Sequence, residues 1–83
     1  MHYRNGREAQ NGDRIITLMS WETPVIGILR DAVPGSNYCN GYVQTGPEPG
    51  PNDPIACMCD CLHVDDLLEI LADKGLGKRP EGM

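Results

Sequence analysis

Residues 12–30 read GDRIITLMSWETPVIGILR: an apolar run, a turn and a second apolar run. Asn11-Gly12-Asp13 opens the stretch, Glu22-Thr23-Pro24 interrupts it, and Pro34-Gly35 closes it. Two strands joined as a hairpin are the natural reading. Ile15, Ile16, Thr17, Val25, Ile26 and Ile28 are β-branched, and their stiff side chains pack well on a pleated surface. Alternation puts Ile15, Thr17, Met19 and Trp21 on one face of the first strand, with Arg14, Ile16 and Leu18 on the other. In the second strand Val25, Gly27 and Leu29 alternate with Ile26, Ile28 and Arg30. Both faces are partly apolar, more than a strand with one wet face requires. The C-terminal segment or a second subunit is expected to cover the outer face. Trp21, beside the turn, offers either a ring for stacking or an anchor at the edge of the core, and the second is commoner.

Upstream, Tyr3-Arg4-Asn5-Gly6-Arg7-Glu8 centres on Asn-Gly, a pair that tolerates the positive φ angles of a tight hairpin turn. The turn brings Arg4 and Arg7 to one edge, as solvated side chains or as an anion site. Downstream, Ser36-Asn37-Tyr38-Cys39-Asn40-Gly41 reads as an irregular loop that tightens at Asn40-Gly41 and enters a short strand, Tyr42 to Thr45. Its tyrosines and asparagines suit a small polar ligand as well as they suit an ordinary polar loop. Gly46 to Pro54 carries four prolines and cannot be regular structure. A stiff, extended surface loop, projecting toward a neighbouring subunit, is expected there.

Ile55 to Leu62 reads as the last main strand and Val64 to Lys74 as a helix. Val64, Leu67, Leu68 and Leu71 recur at i, i+3, i+4 and i+7, forming one apolar stripe. Asp65 and Asp66 suit the positive end of the helix dipole, and Lys74-Gly75 marks the stop. The stripe is expected to pack across the open end of a barrel or onto a partner. Residues 75–83 read as a flexible tail after a single domain spanning residues 1–74. The Gly-Asp-x-apolar start and the Gly27-Ile28-Leu29 second strand suggest a mainly β fold. The expectation is a small SH3-like barrel of about five short strands with one C-terminal α-helix.

At 83 residues, with an apolar share of 40% and no Phe, the core must be small and aliphatic. Association into a homo-oligomer is the expected way to bury more. A net charge of −5 excludes a general nucleic-acid binder. Arg4, Arg7, Arg14 and Arg30 cluster early, however, so a local basic pocket remains open. Met1-His2-Tyr3-Arg4 is no signal sequence, and no run approaches the roughly 20 apolar residues of a membrane span. A soluble, cytoplasmic protein with reduced cysteines is expected.

Cys57-Met58-Cys59-Asp60-Cys61-Leu62-His63 is the densest chemistry. On a strand, Cys57, Cys59, Cys61 and His63 would share one face, as a metal or redox ladder or as a buried thiol surface. Zinc knuckle spacing is missing, so any ion would also need Cys39. A Cys61–His63 nucleophile–base pair oriented by Asp65 or Asp66 is a further possibility. No cofactor, resident metal or catalysis is expected.

Tyr3-x-Asn5-Gly6-x-Glu8-Ala9-x-x-Gly12-Asp13-x-Ile15, then Cys39-Asn40-Gly41, then Cys61-Leu62-His63-x-Asp65-Asp66, resembles a group of small uncharacterised phage and bacterial proteins. That pattern includes Cys39 and Cys61 but neither Cys57 nor Cys59. The resemblance implies a counter-defence role, such as a homo-oligomeric sponge that sequesters a host signalling nucleotide without cleaving it. The expected ligand contacts are Arg4, Arg7 and Arg14 to phosphate, with Tyr38 and Asn40 to a ring or ribose. The alternative is an interaction protein that blocks or adapts a host protein through its helix and Pro-rich loop.

Overall fold

Arg14–Thr17 forms β1 and Ile26–Arg30 forms β2, antiparallel, with Arg14 opposite Ile28 and Ile16 opposite Ile26. The computed structural model describes residues 1–19, 23–33 and 40–77. The expectations for Trp21, for the loop carrying Tyr38 and Cys39, and for the tail after residue 77 lie outside the described residues. Thr17 closes the hairpin from within: its N–H donates to the Val25 carbonyl at 2.9 Å, and its hydroxyl accepts from the Val25 N–H at 2.9 Å. That pairing explains why a polar residue is buried there.

β3, Asn40–Gln44, pairs with β2, and β4, Ile55–Cys57, pairs with β3. β5, Cys61–His63, returns beside β1, with Ile15 opposite His63 and Thr17 opposite Cys61. The order β4-β3-β2-β1-β5 makes one five-stranded antiparallel sheet whose edges, β4 and β5, do not meet. The expected single strand over Ile55–Leu62 is therefore corrected to two. A 3-10 turn, Met58–Asp60, separates them because the chain must leave one edge of the sheet and reach the other. Met58 anchors this crossing by full burial. Cys57, Cys59, Cys61 and His63 consequently form no ladder on one strand face. Cys59 is exposed, whereas Cys61 and His63 are buried.

Ile15, Leu29 and Val43 fill the inner face and are completely buried, each worth about 1.5–3 kcal/mol of apolar transfer. Tyr3 and Ala9 from the N-terminal hairpin cover them, together with Met58. The hairpin forms, but its turn is centred one residue earlier than expected: the Gly6 N–H donates to the Tyr3 carbonyl at 2.9 Å across Arg4-Asn5, the Tyr3 N–H donates to the Arg7 carbonyl at 2.8 Å, and only Gly6 takes a positive φ, +90°. The outer face stays open at Ile26 and Ile55, each 56% exposed.

Val64–Asp73 forms α1, close to its expected span. Its C-terminus closes in a Schellman motif. The Leu76 N–H donates to the Leu71 carbonyl at 2.8 Å and the Gly75 N–H to that of Ala72 at 3.0 Å, with Gly75 in the left-handed region at φ +73°. The expected packing of the stripe is met only in part: α1 lies against β5 and β1 with Val64, Leu67 and Leu71 half-buried, while Leu68 is exposed and no residue of the helix is fully buried. Among the described residues no helix is long and apolar enough to cross a membrane.

Gly27 on β2 lies close against β3. A Cβ there would stand 2.5 Å from the Gln44 carbonyl oxygen and 2.7 Å from Val43 Cγ1. Backbone cannot yield as a flexible side chain does, so Gly27→Ala is expected to cost about 1–3 kcal/mol and lower Tm by at least about 4 °C. Gly46→Ala, with only one atom near at 4.0 Å, is the control and should leave Tm unchanged. Thermal unfolding followed by circular dichroism decides, and equal melting of both variants and wild type would refute the packing argument.

Candidate functional site

β5, the N-terminal hairpin and the start of α1 meet at one corner. The Arg4 N–H donates to the Cys61 carbonyl at 3.0 Å, laying the hairpin against β5. The buried Tyr3 donates its hydroxyl to Asp13 Oδ2 at 2.6 Å, and the same oxygen accepts the Gln10 N–H at 3.0 Å. Burial, reinforced by the hydrogen bond to Asp13, pushes the Tyr3 phenol far above its ordinary range. Asp13 Oδ1 lies 3.7 Å from His63 Nε2. His63 Nδ1 accepts the Asp65 N–H at 3.0 Å and so caps α1. An accepting Nδ1 carries no proton, which places the proton of the neutral ring on Nε2, toward Asp13.

That arrangement leaves no base for Cys61. Both ring nitrogens of His63 face other groups, and the Cys61 thiol donates to the Cys57 carbonyl at 3.4 Å. Burial, then the nearby Asp60 charge, pushes that thiol up to about 11. A nucleophile needs the thiolate, so the Cys61–His63 pair is not assembled for catalysis.

The arginines expected at a ligand are differently placed. Arg4 Nη2 pairs with Asp60 Oδ1 at 3.3 Å, and its Nε donates to the Cys59 carbonyl at 3.3 Å. Arg7 Nη1 reaches Asp66 Oδ1 at 3.0 Å while Asn5 Nδ2 holds Asp66 Oδ2 at 2.9 Å. Asn5, and then Arg7, hold the Asp66 carboxyl below its usual range. Arg14 is exposed on β1 and has no ion-pair partner among the described residues. Asn40 is exposed at the start of β3, opposite Cys57, with β2 between its strand and that of Arg14. Tyr38 lies outside the described residues.

A shallow depression of about 770 Å³ lies at the end of β2, lined by Asn11, Gly12, Leu29, Arg30, Asp31 and Ala32 among others, and contains none of the expected contacts. Arg30 is committed there too. Its Nε and Nη2 donate to Asp53 Oδ2 at 3.1 and 2.9 Å, and its guanidinium lies 4.4 Å from the Tyr42 ring centre. The Gly50 N–H and then Arg30 hold the Asp53 carboxyl below its usual range. The Pro-rich loop, expected to project outward, is tied back to β2 by this clasp.

The cysteines also differ from expectation. Cys57 is disulfide-bonded, while Cys59 and Cys61 are free thiols. Ligand atoms of Cys57, Cys59 and Asp60 lie within 4.8 Å of one another. One sulfur is already bonded and the carboxylate already faces Arg4, so the donor set does not fit a metal ion.

What the structure leaves open is α1. Leu68 is 56% exposed and Ile70 44% exposed. Asp65, Glu69 and Asp73 recur every four residues and make one acidic row beside Leu68 and Ala72. No protein-family model, curated protein or solved structure matches the chain.

The raised groups set an alkaline limit. Tyr3 and Cys61 stabilise the fold in their neutral forms. This contribution is full below the unfolded values, about 10 for a phenol and 8.5 for a thiol, and is lost as pH rises toward the folded ones. Tm should therefore fall above about pH 8.5 and more steeply above about pH 10. Tyr3→Phe removes a hydrogen bond to a charged acceptor, worth about 1.5–3 kcal/mol at neutral pH. Its deficit relative to wild type should narrow above about pH 10, and a constant deficit up to pH 11 would refute the assignment.

Proposed function

We propose that the chain is a non-enzymatic interaction protein that presents α1 to a basic amphipathic segment of another protein. The observation that carries this is a helix of 10 residues, capped at both ends, with no buried residue. A helix this short is marginal without tertiary packing of an apolar face. A stripe that its own domain covers only in part is therefore a surface suited to a partner. Charge selects the partner. A second copy of α1 would bring the row Asp65, Glu69 and Asp73 against itself, on chains that each carry −5. A basic helix meets the same row with opposite sign while its apolar face covers Leu68 and Leu71.

The finer fold reading agrees with such a role. A four-strand meander with β5 returned beside β1 is the strand order expected of an SH3-like barrel, and α1 leaves it as an appendage. Fold alone does not assign function. The second reading is a homo-oligomeric counter-defence sponge for a phosphorylated nucleotide. The exposed Arg14 favours it, but Arg4 and Arg7 would first have to release Asp60 and Asp66.

The test titrates the full chain with a Leu/Lys amphipathic peptide and a Leu/Glu counterpart, using fluorescence anisotropy. Saturable binding of the basic peptide alone, weakened at least tenfold by Leu68→Asp and unchanged by Arg14→Ala, is expected. The choice of Leu68→Asp matters because it adds negative charge: attraction by charge alone would survive it, whereas apolar docking would not. No binding, or binding that Leu68→Asp strengthens, would overturn the proposal. So would light scattering showing a dimer that Leu68→Asp dissociates, since the occupant would then be a second copy. Tight binding of a cyclic dinucleotide or ADP-ribose derivative, lost in Arg14→Ala, would establish the sponge instead.

A further inference from the structure

The Met58–Asp60 turn has an arrangement that the interaction role does not use. It folds Cys59 back on its neighbour, so that the Cys59 and Cys57 sulfurs lie 3.1 Å apart. One belongs to a disulfide, and the other is an exposed free thiol. A thiol in contact with a disulfide sulfur is the reactant geometry of thiol–disulfide exchange.

We propose that Cys57 and Cys59 form an internal exchange site in which Cys59 is the attacking thiol. Cys59 gives its thiol proton to solvent, and its sulfur forms a bond to Cys57 Sγ. The existing bond at Cys57 breaks, and the departing cysteine sulfur leaves with the electron pair as a thiolate and takes up a proton. The number of disulfides is unchanged, so neither oxidant nor reductant is consumed. The bond moves from the present partner of Cys57 into the local Cys-x-Cys pair.

Three features of the fold support this assignment. The buried Met58 and the 3-10 turn replace the straight strand that would hold alternate cysteines roughly 6.8 Å apart at Cα. Arg4 steadies the turn from outside through the Cys59 carbonyl and the Asp60 carboxylate. Cys61, the other free thiol, is fully buried and donates to the Cys57 carbonyl rather than approaching its sulfur. Exposure therefore divides the two free thiols into an accessible nucleophile and a spectator.

The full chain, purified without reductant, is incubated across pH 5–9, quenched with acid and mapped without reduction. Cleavage ahead of Asp53 and Asp60 releases residues 53–59, which carry Cys57 and Cys59 and are separated from Cys61. Initially this peptide should be cross-linked through Cys57. As exchange proceeds it should appear with an internal disulfide, at a rate that rises with pH because the thiolate is the attacking species. Cys59→Ser should keep it cross-linked throughout, and Cys61→Ser should exchange as wild type does. Wild-type peptide that remains cross-linked at pH 9 would overturn the proposal. So would a Cys57–Cys61 disulfide that forms in the wild-type chain in place of the Cys57–Cys59 pair, or stoichiometric zinc in the purified protein. None of these measurements depends on α1 or its partner.

Discussion

β5 reaches β1 across more than forty residues of chain, and most of the molecule is placed by that pairing. Ile15 opposite His63, Ile16 opposite Leu62 and Thr17 opposite Cys61 set its register. A slip of one residue would send Cys61 and His63 to the outer face and Leu62 into the core. With the register set, the Cys61 carbonyl faces outward to receive the Arg4 N–H, which docks the N-terminal hairpin and brings Tyr3 over the core. His63 is then both the end of β5 and the cap of α1. Helix direction thus follows from strand register, without any residue of the helix being buried.

Charge compensation fastens the parts that apolar burial leaves loose. Arg4 joins the hairpin to the Met58–Asp60 turn, Arg7 joins it to α1 through Asp66, and Arg30 joins the Pro-rich loop to β2 through Asp53. The Arg4 and Arg7 pairs face solvent, where an ion pair adds little to stability, whereas Arg30–Asp53 is largely shielded. Their effect is positional. Each selects one arrangement for a segment that the small core touches only in part. The same commitment makes Arg4 and Arg7 poor starting points for binding an anion, because a phosphate must first displace a carboxylate.

The hairpin at residues 12–30 and α1 were legible in the sequence because each rests on local signals: β-branched alternation in one, an i, i+3, i+4, i+7 stripe in the other. The break at Met58–Asp60 was not, because Cys, Met and Asp in alternation look like a strand. The reason to break there is that β4 and β5 occupy opposite edges of the sheet. His63 escaped notice as a cap because Ser, Thr, Asp and Asn usually fill that position. The arginine partners were hidden for a related reason. Arg4 and Asp60 are separated by 56 residues and Arg7 and Asp66 by 59, so only the β1–β5 register brings them together. Arg14 and Asn40 were expected at one ligand, and Asn40 in a loop; Asn40 instead opens β3, and nothing local could show that β2 lies between its strand and that of Arg14.

The Met58–Asp60 turn and α1 flank β5, and the chain between them is short. Only Cys61, Leu62 and His63 separate the turn from α1. Those three residues are nevertheless firmly held. All are buried, all are paired with β1, and Cys61 also holds the hairpin through its carbonyl. A rearrangement at Cys57 and Cys59 therefore meets a fixed strand before it reaches the helix. Its effects are directed the other way, through Arg4 and Asp60 to the hairpin and through Cys57 to β3, where Asn40 is its partner. The fixed strand β5 thereby stands between the turn that carries Cys59 and α1.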